Sequence, residues 1–200
     1  GTDAAQKASI LSALAFNTLY DFNSVSYEGI ENVSPEDIVY AEQLEYSVKH
    51  IAYGSIVDGE VNVSAFPTFV PKGQLLSQVG QQMNALEIFC EEIGSTVYYG
   101  PGAGPKPTAS AVIADLVDLS NGGWPVSDKK QNKNNFAKED NQIFGRYFNL
   151  NVINQAGAIA KLSSVFADSQ ISIEALIQKE TKTNNKENIY VPVVIISGPL

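Results

Sequence analysis

One cysteine, one histidine, one methionine and one tryptophan occur in 200 residues. The lone Cys90 excludes an intrachain disulfide, and a reducing, cytoplasmic setting is the simplest expectation. The lone His50 has no second histidine or cysteine cluster beside it, so no metal site is expected. No apolar run reaches the roughly 18 residues that a membrane span needs. The first residues show neither a basic n-region nor an apolar h-region, so no signal peptide is expected in this chain. Positive charge is scarce: 13 Lys and Arg face 22 Asp and Glu, a net charge of −9. Such a surface repels a phosphate backbone, which excludes nucleic acid as a partner. The shortage is local. Residues 1–120 hold four lysines against 15 acids, whereas residues 121–200 hold nine basic groups against seven acids. What remains, 44% apolar and 18% charged residues, is the composition of a globular chain able to bury a core as one large domain or two small ones.

The charge break near residue 120 coincides with a change of texture. Residues 120–142 read SNGGWPVSDKKQNKNNFAKEDNQ, polar and without helical or alternating periodicity, as a linker does. Trp124 is expected to anchor its start. The chain therefore divides into a first domain over residues 1–120, a polar linker over 121–143 and a second domain over 144–200.

In the first domain, Ala5, Ala8, Leu11, Leu14 and Ala15 recur at helical spacing and predict a helix over 3–20 with one buried stripe. Ser34-Pro35-Glu36-Asp37 is a helix start, with a capping serine, proline in the first turn and acids at the positive dipole end. That helix is predicted to reach about residue 49. HIAYGSIVDGEVNVSAFPTFV reads as two strands about an Asp58-Gly59 turn. NALEIFCEEIGSTVYYG repeats the pattern with a bend near Gly94, and a helix is predicted over 108–119. The fold class is mixed α/β (α+β): a largely antiparallel, hairpin-built sheet covered by helices. Cys90 falls in an apolar strand and reads as core rather than nucleophile. One ring of the Tyr98-Tyr99 pair is expected to pack inward.

Two stretches carry chemistry. The first is YYGPGAGPKPTASAVIADL, residues 98–116. Gly100 and Gly102 match the start of G-x-G-x-x-G, but position 105 is proline. The region about 20 residues on, NGGWPVSDKK, cannot be the buried parallel strand that bears a ribose-binding acid. The loop is a tight strand-to-helix connection needing positive φ angles, or a surface that a ligand approaches closely. The second stretch is GTDAAQKASIL. Asp3 and Lys7, four apart, share one helical face. As a surface ion pair they contribute roughly 0.2–0.5 kcal/mol. Crowded by Ala4, Ala5 and Ala8, and with no other cation in the first 48 residues, a partly desolvated Lys7 would instead serve as a proton donor. For Glu28, in E-G-I, structural and site-lining roles both stay open.

Together, GTDAAQKASILSALAF, YEGIENVSPEDIVYAEQL and the glycine loop resemble the catalytic domain of homoserine dehydrogenase, in order and over most of residues 1–120. The resemblance implies NADP- or NAD-dependent interconversion of L-aspartate 4-semialdehyde and L-homoserine, in threonine and methionine biosynthesis. By motif position it implies Lys7 as acid/base, Asp3 as the residue that orients the substrate, and Gly104 as backbone against the cofactor, with Gly100 and Gly102 shaping the approach. It also implies that the nucleotide-binding domain lies outside this chain, so that the chain alone is inactive. A homodimer is expected, because hairpin-built sheets with open edges commonly pair.

The second domain reads independently. GRYFNLNVIN alternates as a half-buried strand. QAGAIAKLSSVFADS sets Ala158, Leu162, Val165 and Phe166 on one helical face. ISIEALIQKE and NIYVPVVIIS are two further strands around the polar turn TKTNNK. This β-α-β-β order, with Gly157 opening the helix, resembles a partial ferredoxin-like ACT domain. That implies a small amino-acid ligand, threonine in this family, held at Asn154, Gly157 and Ala158. Asn154 and Ala156 stand where the family carries an acidic residue and a proline. An alternative class is a non-catalytic amino-acid sensor built on this unit.

Overall fold

Helix α1 (Thr2–Phe16) shows how the first layer is assembled in the computed structural model, which describes residues 1–18, 22–123, 135–136 (backbone), 144–178 and 190–199. The helix buries its small side chains, Ala5, Ala8, Ser9 and Ser12, while Leu11 and Leu14 are exposed, Leu14 to 75%. The expected Leu-bearing stripe is thus corrected. The reason is spacing against the sheet. A Cβ on Gly54 would stand 2.1 Å from Ser12 Oγ, so helix and sheet approach too closely for leucine. Ser9 satisfies its buried hydroxyl by donating to the Ala5 carbonyl at 2.6 Å. The helix stops at Asn17, in the left-handed conformation (φ 48°), rather than at residue 20.

By its own contacts the chain divides into two units, residues 1–69 with 133–200, and residues 70–132. In the first unit, β1 (Ser26–Tyr27) is followed by α2 (Pro35–Gln43), β2 (Tyr46–Val57) and β3 (Glu60–Pro71). Ser34 caps α2 as expected, in a reciprocal capping box with Asp37. The helix ends at Gln43, short of residue 49, because Glu45 turns left-handed (φ 62°) and the aromatic and β-branched run that follows enters β2. Asp58 (φ 51°) and Gly59 (φ 81°) form the expected two-residue turn between β2 and β3. β3 is central, flanked by β1 and β2. Val61, Val63 and Ala65 pack with Ala5, Ala8 and Val25 beneath α1.

The second unit carries β4 (Met83–Cys90) and β5 (Gly94–Pro101), an antiparallel hairpin bent at Gly94 (φ 74°), then α3 (Pro105–Ser120). The helix begins three residues before the expected Thr108. The mixed α/β class with antiparallel sheets holds, and the two hairpins lie in separate sheets. Tyr98 and Tyr99 are both exposed, so neither ring packs inward, and Cys90 is half-buried. A two-stranded hairpin with one helix has too few layers to bury both faces.

Within the first unit again, β6 (Asn135–Phe136) pairs with β3. β7 (Tyr147–Ile153), α4 (Ala158–Asp168), β8 (Ile173–Gln178) and β9 (Tyr190–Ser197) follow. β9 runs antiparallel between β7 and β8, a split β-α-β arrangement. Phe166 meets Phe148 edge-on at 5.3 Å and packs with Val191, Val193 and Ile195. Val165, expected on that face, is 60% exposed. The polar turn 181–186, Trp124 and most of the expected linker lie outside the described residues.

Candidate active site

Asp3 and Lys7 meet. Lys7 Nζ stands 2.8 Å from Asp3 Oδ2 on the first two turns of α1, with 61% and 80% of the side chains exposed within this chain. The expected desolvation of Lys7 is therefore not supplied by the described residues, and Ala5 and Ala8 face the sheet instead. The start of this helix is fixed from below. Gly1 is its N-cap, and its carbonyl accepts the Ala5 N–H at 3.1 Å. A Cβ on Gly1 would lie 2.9 Å from both the carbonyl carbon of Glu28 and the nitrogen of Gly29. The G-x-D-x-x-x-K start and the E-G-I turn, 27 positions apart, are thus in backbone contact, and only glycine fits there. The Glu28 carboxylate accepts from Asn32 Nδ2 at 2.8 Å, and its carbonyl from His50 Nε2 at 2.8 Å.

Gly100, Gly102 and Gly104 belong to the other unit. Gly100 pairs with Asn84 in the hairpin. Gly102 donates its N–H to the Gln82 carbonyl at 2.9 Å, and a Cβ there would meet the Asn84 side chain at 1.9 Å. Gly104 caps α3 at φ 116°, a conformation closed to other residues, and the nearest atom to a Cβ there is 3.7 Å away. Its carbonyl accepts from the Thr108 N–H and hydroxyl. Pro105 and Pro107 lack N–H groups, so Lys106 is the one donor among the first three residues of α3. Such a helix start is a poor cradle for phosphate.

Asn154, Gly157 and Ala158 come together on the turn from β7 into α4. Gly157 is left-handed (φ 84°), the Gln155 N–H reaches the Ile153 carbonyl and the Ala158 N–H reaches the Gln155 carbonyl. Asn154 is exposed and Ala158 is buried.

Asp37 is more than a helix cap. Its Oδ2 accepts from the Ser34 N–H (2.9 Å) and hydroxyl (2.8 Å), and its Oδ1 from the Tyr147 hydroxyl (2.5 Å) and Asn149 Nδ2 (2.9 Å). Partial burial raises the Asp37 pKa, but the bonds from Tyr147, the Ser34 backbone, Asn149 and the Ser34 hydroxyl outweigh burial and leave it lowered. Burial, then the bond to Asp37 and its charge, push the Tyr147 phenol well up. The Tyr147 ring also packs on Phe69 at 4.5 Å, and Phe69 on Tyr46 at 6.2 Å. Among the described residues, the Asp37 carboxylate ties β7 to α2, and the Tyr147–Phe69–Tyr46 rings, with Tyr53 on Phe144 at 5.5 Å, pack the start of the β-α-β-β unit on the first sheet. The capping signal in the sequence identifies Asp37 as a helix residue; nothing local identifies its partners.

Comparison with known proteins identifies the family of this mixed α/β chain, with its charged helix start and bare glycine turn. A family model described as homoserine dehydrogenase matches residues 1–117, and the chain belongs to that family. It is 33% identical over 191 residues to the homoserine dehydrogenase of Neisseria gonorrhoeae, covering 90% of this chain and 43% of that protein. The Bacillus subtilis homoserine dehydrogenase is 32% identical over 193 residues, covering 93% of this chain and 44% of that protein. A crystal structure of a homoserine dehydrogenase from Thiobacillus denitrificans superposes with a TM-score of 0.81 at 32% identity, covering all of this chain and 46% of that one. The chain spans less than half the length of these relatives. Among the described residues, no helix is long and apolar enough to cross a membrane, and no three His, Cys, Asp or Glu side chains are grouped to hold a metal ion.

Proposed function

We propose that this chain is the substrate-side and regulatory portion of a cytoplasmic homoserine dehydrogenase, interconverting L-aspartate 4-semialdehyde and L-homoserine in threonine and methionine biosynthesis. The observation that carries the reading is the family match over residues 1–117, with Asp3 and Lys7 paired at 2.8 Å on the motif that heads it. In functional terms we divide the chain into a catalytic domain over 1–120, a linker over 121–143 and an ACT-like regulatory domain over 144–200.

A nicotinamide dinucleotide, NADP or NAD, when bound, supplies or accepts the hydride. Of this chain's residues, Gly104 fits the ring end, since its backbone is bare. The start of α3 does not fit the pyrophosphate, because two of its first three residues carry no N–H. No G-x-G-x-x-G unit occurs in the 200 residues, and we assign the phosphates to a domain beyond them. Lys7 moves the proton at the substrate oxygen: its ammonium protonates the alkoxide as the aldehyde is reduced, and its amine takes the proton in the reverse direction. Asp3 holds that ammonium by its carboxylate and turns it toward the substrate. A closed, water-poor site would be completed by walls other than the described residues, which leave Lys7 largely exposed. The apolar side chains that α1 and α3 leave exposed, Ile10 and Leu14, Ile113 and Leu116, support a homodimer.

The turn at Asn154, Gly157 and Ala158 favours a regulatory role, with threonine as effector. Asn154 offers both donor and acceptor to an amino acid. A pure sensor would use that turn alone. Replacing Lys7 by alanine in the full-length protein separates the two readings. The dehydrogenase reading expects kcat to fall about 10²–10⁴-fold, the usual worth of a general acid/base, with a smaller change in KM. Unchanged turnover by K7A would leave the sensor reading in possession.

A further inference from the structure

His50, the one histidine in the chain, stands on β2 with Nε2 2.8 Å from the Glu28 carbonyl oxygen. A carbonyl oxygen can only accept, so Nε2 must carry the proton whether the ring is neutral or cationic. β2 and β1 flank β3 on opposite sides. The imidazole therefore reaches across the central strand to the residue that follows β1. Glu28 is tied to β3 as well, its N–H donating to the Ala65 carbonyl at 2.9 Å. Its carboxylate is held by Asn32. Glu28 is thus held at its N–H, its carbonyl and its carboxylate, and Gly1 rests directly on the Glu28–Gly29 peptide. Gly1 caps α1, and Asp3 and Lys7 follow within two turns.

We infer that His50 is a positioning residue for the Asp3–Lys7 pair: its Nε2–H clamps the Glu28–Gly29 peptide that seats the first turn of α1, and so sets where the lysine ammonium stands. The inference rests on the assignment of Lys7 as acid/base. It asks for a donor at one atom and not for a charge. Glutamine, whose amide N–H reaches about as far as Nε2, can replace the ring. Asparagine, whose amide sits nearer the backbone, cannot.

Two measurements test this. Because the chain holds one histidine, the ring ¹⁵N resonances of the 200-residue protein come from His50 alone. In the neutral ring the Nε2–H tautomer is expected, and an Nδ1–H tautomer overturns the clamp without any assay of activity. In the full-length protein, H50N is expected to lower kcat for homoserine oxidation about 10–100-fold, as misplacement of a reacting group does, with little change in KM. H50Q is expected to stay within about threefold of the parent. Both variants are polar and similar in size, so a loss shared equally, or no loss in either, overturns the positioning role. K7A run alongside keeps the readings apart. An active K7A removes the Lys7 assignment and this role with it, whereas an inactive K7A beside equal H50N and H50Q removes the His50 role alone.

Discussion

Asp37 shows how much can depend on one side chain. Four donors converge on its two oxygens, from its own helix cap and from β7. Because its pKa is lowered in the fold, its contribution is present above the ordinary value of 3.8 and is lost as the pH falls through the lowered one. D37N is expected to cost about 1.5–3 kcal/mol at neutral pH, the range for hydrogen bonds to a charged group. The gap between D37N and the parent should close in strong acid, where the parent carboxylate is itself protonated. Urea melts at neutral and at acid pH check both halves, and a gap that persists in acid refutes the electrostatic account. Tyr147 behaves with the opposite sign. Its phenol is raised, so its contribution is full below the ordinary 10.0 and is lost as the pH rises through the raised value. Y147F should therefore flatten the alkaline loss of stability.

At the scale of elements, close approach governs what is buried. Helix α1 lies on Gly54 through Ser12, with Ala5, Ala8 and Ser9 beneath it. G54V puts three methyl-sized carbons where 2.1 Å separates a Cβ from Ser12 Oγ, and overpacking of that kind costs about 1–3 kcal/mol. Thermal unfolding of G54V measures it; an unshifted midpoint means that the helix can lift without cost. The same feature explains what the sequence hid. Periodicity ranks side chains by apolarity and so selected Leu11 and Leu14, whereas the interface selects by size, and small polar serines won. Much local chemistry was legible: the Ser34 cap, the Asp58-Gly59 turn, the bend at Gly94 and the glycine that opens α4. The end of α2 was not, because nothing in the apolar periodicity marks Glu45 as the residue that turns left-handed and sends the chain into β2.

For the whole molecule, the pair at Asp3 and Lys7 was readable as an i,i+4 spacing, but its support was not. Gly1 on Glu28 and His50 on the Glu28 carbonyl join positions 22 to 27 residues apart, and no periodicity encodes such meetings. Since the chain spans less than half of its relatives, the 200 residues alone are expected to oxidise no NADPH with aspartate semialdehyde. Absorbance of the nicotinamide measures this, and steady turnover would mean that the chain holds the whole site. A last consequence concerns β7. It is pinned at its first residues by the Asp37 carboxylate and ends at the turn bearing Asn154. An extended strand neither stretches nor compresses appreciably, so it acts as a push-rod. A lengthwise pull on β7 would therefore reach the start of α2 through the Tyr147 and Asn149 bonds to Asp37, while the seven-residue ladder with β9 opposes it.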